Sequence, residues 1–347
     1  MRDVTGDRSA AVNIRDVAAA AGVSAATVSR VLNPEAAAYP VRPETRERVL
    51  EAIERLRYRP NDLARALLHR RTNVVGLIVP DISNPYYPEV ARGIEDVAST
   101  AGWRVVLCNT DRDIEKTTTY LDTLIKTRAD GVIVVGGSTS EALAPNIFEP
   151  YDTRIVLVGR HELPYPSVQI DNVAAAHEAT AHVLRLGHRR VAFLGGPHAS
   201  RTVQDRLAGY RQALEDAGVA FAERLVREGD FQEASGYATA GGLLGLPDPP
   251  TAIIAANDRM AFGAHAAAVD HGLRVPDDVS LVGFDDVSLA SYLRPALTTV
   301  AIPSYEIGER AMRILLAEDP ADPAGGGAEP STLATKLVVR DSCAPPP

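Results

Sequence analysis

The stretch Asn13–Asn33, NIRDVAAAAGVSAATVSRVLN, leaves the chain little choice of local structure. The Asn13 side chain can accept from the N–H groups that a first helical turn leaves unpaired, so a helix can start there. Ile14, Val17, Ala18 and Ala21 then recur at i, i+3, i+4 and i+7, which is one apolar face of a short helix. Gly22 falls where that helix must stop and the backbone needs a positive φ. Ser24 can cap a second helix, in which Val28, Val31 and Leu32 form one face. The outer face then carries Ala25, Ala26, Ser29 and Arg30. Small groups, a hydroxyl and a guanidinium suit a helix lying against base edges and phosphates. Amphipathic helix pairs separated by a glycine also occur in ordinary helical domains, so the pattern alone leaves both readings open.

Pro43, Glu44 and Thr45 begin a third helix, with Val49, Ile53 and Leu56 inward and Arg46, Arg48, Arg55 and Arg57 outward. Residues 1–12 read as a polar, disordered arm, and 34–43 as a loop. The net charge of −9 argues against nucleic acid only until its distribution is read. Residues 1–71 hold 13 Arg, no Lys and 9 acidic residues, a balance of +4 that leaves −13 for the rest. A basic head on an acidic body fits a modular protein whose head alone meets phosphates.

From Asn73 the period changes. Apolar, β-branched runs at Val74–Pro80, Trp103–Cys108, Gly131–Val135 and Ile155–Val158 predict buried strands. Helical patterns at Tyr87–Ala101 and Ile114–Thr127 separate the first three. After Asp171 the alternation resumes, with strands at Arg190–Leu194, Leu225–Glu228, Ala252–Ala256 and Val279–Phe284. Helices are expected over Val173–Leu186, Val203–Ala217, Phe231–Leu244 and Arg259–His271. The result is two similar α/β halves with parallel sheets. Ile302–Leu316 adds a helix, DPADPAGGGAEP a surface loop, Leu333–Val339 a closing strand, and 342–347 a tail.

GVSAATVSRVLN, with DVAAAAGVS before it and Arg59-Pro60-Asn61 after it, resembles the head of the lac and galactose repressor (LacI/GalR) family of bacterial regulators. The resemblance runs along nearly the whole chain. It implies an all-α helix-turn-helix DNA-binding head at 13–57 and a hinge at 58–71. Beyond these it implies an α/β two-lobed, periplasmic-binding-protein-like (type I) effector and dimerisation domain at 72–341. The lobes would be about 72–171 plus 302–331, and 172–301 plus 332–341. The DNA-binding set is then Ser24, Ala25, Ala26, Thr27, Ser29, Arg30, Asn33, Asn61, Ala64, Arg65 and Leu67. In the family the hinge enters the minor groove, and Leu67 matches its apolar wedge, with Ala64 permitting close helix approach. Ala25 and Ala26 stand where other members carry longer polar side chains. Alanine can touch a thymine methyl but makes no bidentate bond, which shifts specificity towards Thr27, Ser29, Arg30 and the hinge kink.

In open α/β sheets ligands sit beyond the carboxyl ends of the strands. Those ends carry Asp81, Asn84, Tyr86 and Tyr87, then Arg160, Asn257, Asp258, Asp285 and Asp286; Arg206 lies in the helix that follows Arg190–Leu194. The segments GPHASRTVQDRLAGY, AANDRMAFGA and DVSLVGFDD look like those that supply the family's effector contacts. The candidate effector set is Asp81, Tyr87, Arg160, Arg206, Asn257 and Asp285. Carboxylates, an amide, guanidinium groups and an aromatic face together suit a sugar, whose hydroxyls donate and accept. Asp258 reads more simply as the cap of the helix that follows, Tyr86 as packing and Trp103 as core.

No apolar run reaches the length of a membrane span and no signal-peptide pattern opens the chain, which points to the cytoplasm. Cys108 and Cys343 read as free thiols. Phosphate-loop, nucleophile-elbow and zinc-protease motifs do not occur, and the histidines lack ligand spacing. No enzyme, metal or cofactor is expected. The reading is a homodimeric regulator, implied by the family to be a repressor, that binds pseudo-palindromic operator DNA under control of a sugar. The alternatives are a nucleobase effector or, without the export signal it needs, a solute-binding protein.

Overall fold

A computed structural model describes residues 12–32, 41–58, 72–136, 153–317 and 330–347. The chain divides into two compact units, Met1–Thr72 and Asn73–Pro347. The arm at 1–11, Asn33 and the hinge residues 59–71 lie outside the described residues, and with them Asn61, Ala64, Arg65 and Leu67.

The first unit is built from α1 (Ile14–Ala21), α2 (Ala25–Leu32) and α3 (Pro43–Leu56). Asn13 and Asp16 form a reciprocal capping box: Asn13 accepts from the Arg15 N–H at 2.8 Å, and the Asn13 N–H donates to Asp16 at 2.8 Å. Gly22 adopts φ 64°, so the Val23 N–H turns back onto the Ala18 carbonyl at 3.0 Å. This left-handed residue closes α1 and sets the angle to α2. Val17, Val28 and Val49 are fully buried, one from each helix. Ala52 is buried in α3, and Ile53 and Leu56 pack at the edge of the same core.

The second unit holds two six-stranded sheets. The first runs β11-β5-β4-β3-β1-β2, from β1 (Val74–Val79), β2 (Arg104–Asn109), β3 (Gly131–Val135), β4 (Arg154–Val158), β5 (Ser167–Ile170) and β11 (Ser331–Leu333). All its pairings are parallel. The second runs β12-β10-β9-β8-β6-β7, from β6 (Val191–Gly195), β7 (Val226–Glu228), β8 (Ala252–Ala255), β9 (Ser280–Asp285), β10 (Thr298–Ala301) and β12 (Lys336–Val338), with β12 antiparallel to β10. Helices α4 (Tyr86–Thr100), α5 (Ile114–Lys126) and α11 (Ser304–Leu316) cover the first sheet. Helices α6 (Asn172–Arg185), α7 (Arg201–Asp216), α8 (Glu233–Leu244), α9 (Asp258–Asp270) and the short α10 (Ser288–Tyr292) belong to the second.

The chain passes between sheets after β5, returns after β10, and crosses again between β11 and β12. The strand expected at Leu333–Val339 is therefore two strands in different sheets. Residues 331–333 extend the first lobe, and the second resumes at Lys336. The expected tail at 342–347 is built into the second lobe. Ser342 is buried, its hydroxyl donating to the Leu281 carbonyl at 2.6 Å and accepting from the Thr298 N–H at 2.8 Å.

Three helix pairs meet backbone to backbone. A Cβ on Gly93 would lie 2.1 Å from the Tyr305 carbonyl oxygen, and one on Gly308 the same distance from that of Val90, which locks α4 against α11. Gly209 brings α7 onto α6, and Gly236 with Gly263 join α8 to α9.

Candidate functional site

In the head, α2 turns Ala26 and Arg30 to solvent, while Arg30 Nε donates back to the Ala26 carbonyl at 3.4 Å. Ser24 accepts the Thr27 N–H at 3.1 Å, and the two hydroxyls lie 3.0 Å apart. Ser24 is thus a helix cap as well as a surface residue. Ala25, expected on the outer face, is half-buried against the head core, as is Val23. Ser29 and Thr27 are half-buried on the same helix.

In the body, a cavity of about 100 Å³ lies where the carboxyl ends of both sheets face each other. Tyr87, Arg206, Asn257 and Asp285 line it together, from four separate elements. Arg206 on α7 is buried, donates Nε to Asn172 at 3.0 Å and Nη1 to the Ala256 carbonyl, and lies face-on over Phe284 at 3.9 Å. Burial lowers its pKa, and the nearby Asp285 opposes that shift. A guanidinium has five N–H donors, so these bonds leave others for a ligand.

Asp285 ends β9 at φ 110° and is buried. Among the described residues no hydrogen-bond donor is placed on its carboxylate. Burial pushes its pKa up to about 7, against the pull of Arg206. Asp285 lines the cavity, where a ligand bearing hydroxyls could donate to its carboxylate.

Asn257 is the N-cap of α9: Oδ1 accepts the Met260 N–H at 2.9 Å and Nδ2 donates to the Phe231 carbonyl at 3.0 Å. The cap expected at Asp258 therefore sits one residue earlier. Asp258 is instead fully buried, accepting from Thr299 Oγ1 at 2.5 Å and the Val287 N–H at 2.9 Å. Burial and then Asp285 raise its pKa well above the usual carboxylate range.

Two candidates are placed elsewhere. Arg160 points away from the cavity and pairs side-on with Asp205 of the second lobe, both contacts at 2.8 Å. Asp81 adjoins the cavity-lining Pro80, but both carboxylate oxygens are occupied by Ser83, Gln232 and Arg259. Burial raises its pKa, but hydrogen bonds from Ser83 and Gln232 with the charge of Arg112 bring it below the ordinary value. Strand ends locate a loop and not the direction of its side chains.

The structure brings in one residue read as packing and one that strand-end reading passed over. Tyr86, expected in packing, lines the cavity edge-on to Tyr87 at 5.1 Å. Burial raises the pKa of both phenols, Tyr87 to about 12, so both remain neutral donors. Phe231 closes another side. An added Cβ on Gly196 would meet its ring at 2.4 Å, and the Arg112 guanidinium lies 5.3 Å from its centroid. Phe231 could have been suspected from Gly229 and Asp230 just after the β7 strand end. Among the described residues no group of three His, Cys, Asp or Glu is arranged to hold a metal, and no helix is long and apolar enough to cross a membrane.

Comparison with known proteins places both units. Residues 13–61 match the family model of bacterial regulatory proteins, lacI family, and residues 180–343 that of a periplasmic binding protein-like domain. The ribose operon repressor of Halalkalibacterium halodurans is 40% identical over 330 residues, covering 95% of this chain and 96% of that protein. The transcriptional regulator CelR–cellobiose complex matches with a TM-score of 0.70 at 33% identity, over 95% of this chain and 99% of the other. The lac repressor dimer bound to operator and an anti-inducer matches with a TM-score of 0.83 at 28% identity, over 96% and 99%.

Proposed function

We propose, from the premise that this chain belongs to the lacI family of bacterial regulatory proteins, that a sugar bound between its two lobes controls its grip on operator DNA. The chain is a DNA-binding transcriptional regulator of the repressor type. As a homodimer it presents two heads to the half-sites of a pseudo-palindrome. The α2 surface, with Ala26 and Arg30 exposed, is the part of the described head that reads the major groove.

The observation that carries the effector reading is Asp285, a buried carboxylate with no donor among the described residues, facing a cavity that also holds Arg206 and two tyrosines. Adjacent ring hydroxyls would donate to Asp285 and accept from Arg206, while Tyr86, Tyr87 and Phe231 take the C–H faces. A nucleobase would stack on the same aromatics, but it offers Asp285 fewer donors. We read the cavity as binding and not catalytic, with no cofactor, and place the regulator in the bacterial cytoplasm with the DNA it binds.

The test is a thermal-shift screen of monosaccharides and nucleobases on the full chain, followed by operator binding. A specific ligand raises stability by mass action. A monosaccharide should shift the melting temperature of the parent, leave Asp285→Asn and Arg206→Gln unshifted, and change operator affinity by about 5–150-fold. A shift by nucleobases alone, or a sugar shift that survives both substitutions, overturns the sugar assignment. Turnover of the bound sugar would overturn the non-catalytic reading.

A further inference from the structure

Asp81 and Arg259 are the contact that joins the lobes on one rim of the cavity. Arg259, at the start of α9 in the second lobe, clasps Glu233 of α8 side-on, with Nε and Nη2 each at 2.7 Å. Its Nη1 crosses to the first lobe, 3.3 Å from Asp81 Oδ2 and 3.2 Å from Ser83 Oγ. Gln232 makes the same crossing, donating to Asp81 Oδ2 at 2.8 Å. Only 12% of each of the Arg259 and Asp81 side chains is exposed, so the pair is shielded from the salt that screens surface charges. Gln232 adjoins Phe231, which lines the cavity, and Asn257, the residue before Asp258 in α9, holds the Phe231 carbonyl.

The opposite rim is bridged as well. Arg160 of the first lobe pairs with Asp205 of α7, and Glu162 accepts from Arg201 at 2.9 Å. These pairs are more exposed, with 44% of the Arg160 side chain and 77% of that of Glu162 accessible. The two rims therefore differ. One crosses between two shielded side chains and is continuous with the cavity wall; the other joins second-lobe partners that are 14% and 22% exposed to solvated first-lobe side chains.

We propose that the Asp81–Arg259 contact is a latch that sets how far the lobes are closed before any effector binds, with Gln232 tying its state to the cavity wall at Phe231. Arg259 is prepositioned by Glu233, so forming the latch costs little side-chain entropy. Arg259 keeps Glu233 and Asp81 keeps Arg112 at 3.8 Å, so removing either partner breaks only the crossing between the lobes, which favours the open arrangement. Asp81 then regulates the site without touching the sugar.

The proposal relies on the effector reading only for its consequence, because the latch acts in the empty protein. Hydrogen exchange of the full-length, effector-free chain tests it without any sugar. In Asp81→Asn and in Arg259→Gln, exchange should rise several-fold at 81–84 and 231–233. It should rise as well on the far rim, at 160–163 and 201–205, which neither substitution touches. Strands β3 and β8 should stay protected, which shows that the variants fold. Combining the two substitutions should add little beyond either alone, as expected for one shared contact. Arg259→Lys should restore part of the far-rim protection. A rise confined to the substituted rim, or full additivity in the double variant, overturns the latch. Sugar binding could still be found in that case, and equally the latch could be measured in a protein that binds none of the sugars screened.

Discussion

At the scale of single residues, the cavity is lined by a carboxylate whose proton burial holds. Asp285 carries a pKa of about 7 when folded, above the ordinary carboxylate value of 3.8. An acid whose folded pKa is raised binds more protons folded than unfolded, so stability falls as pH rises from about 4 to about 7. Asp285→Asn keeps the shape and removes the charge. In thermal denaturation it should be more stable than the parent at pH 8, by about 1–3 kcal/mol, and close to it at pH 5. An unchanged difference across that range would mean that Asp285 is already satisfied. The same sign governs ligand binding. Hydroxyl donors favour the ionised carboxylate, so sugar affinity should improve as pH rises through about 7, and titration calorimetry at pH 6 and 8 would show it. Tyr87, Asn257 and Asp285 line the cavity because each follows or ends a strand that points at it, whereas Arg206, inside α7, was placed with the help of the family resemblance. Arg160 and Asp81 obey the same rule, yet their partners come from the other lobe, which no local pattern announces.

At the scale of elements, the alternation of apolar runs with helical periods places the longer strands within one or two residues. Strands β5, β10 and β11 were not legible. They are three or four residues long, too short for an alternation of apolar and polar residues to be read. The break at Ala334–Thr335 was hidden because the apolar pattern continues across it while the chain changes sheet. Helix contacts were equally silent, since a helix interior with a glycine reads as a weak helix until its neighbour is known. Gly263 is the telling case: a Cβ there would lie 2.0 Å from the Glu233 carbonyl oxygen. Gly263→Ala must push α9 off α8, costing about 1–3 kcal/mol by denaturant unfolding. The same shift displaces Arg259 from Glu233 and Asn257 from Phe231, so sugar affinity should fall together with stability. In the head, Asn13→Ala opens the capping box and should cost about 1 kcal/mol. Its melting should be lowered without change in the body transition.

At the scale of the whole molecule, division of charge follows division of labour. The head holds its excess of arginine on a small three-helix core, and the acidic body has separate apolar cores of its own. Residues 73–347 alone should therefore fold, melt cooperatively and keep the sugar-dependent thermal shift while losing all operator affinity. An insoluble or non-cooperative fragment would show that the body depends on the head. Within the head, Arg30 sits in the last turn of α2, whereas base edges are read by the first turns of such a helix. On the docking proposed above, that position assigns Arg30 to phosphate and not to the base reading expected from the sequence. Arg30→Ala should weaken specific and random duplexes to the same degree and reduce the slope of log affinity against log salt by about 0.9 for each phosphate left without its guanidinium. A dimer carries the substitution in both heads, so the slope should change by about 1.8 per duplex. A weakening confined to one operator sequence, with the slope unchanged, would move Arg30 from the phosphates to the bases and leave the exposed face of Ala26 as the smaller part of the readout.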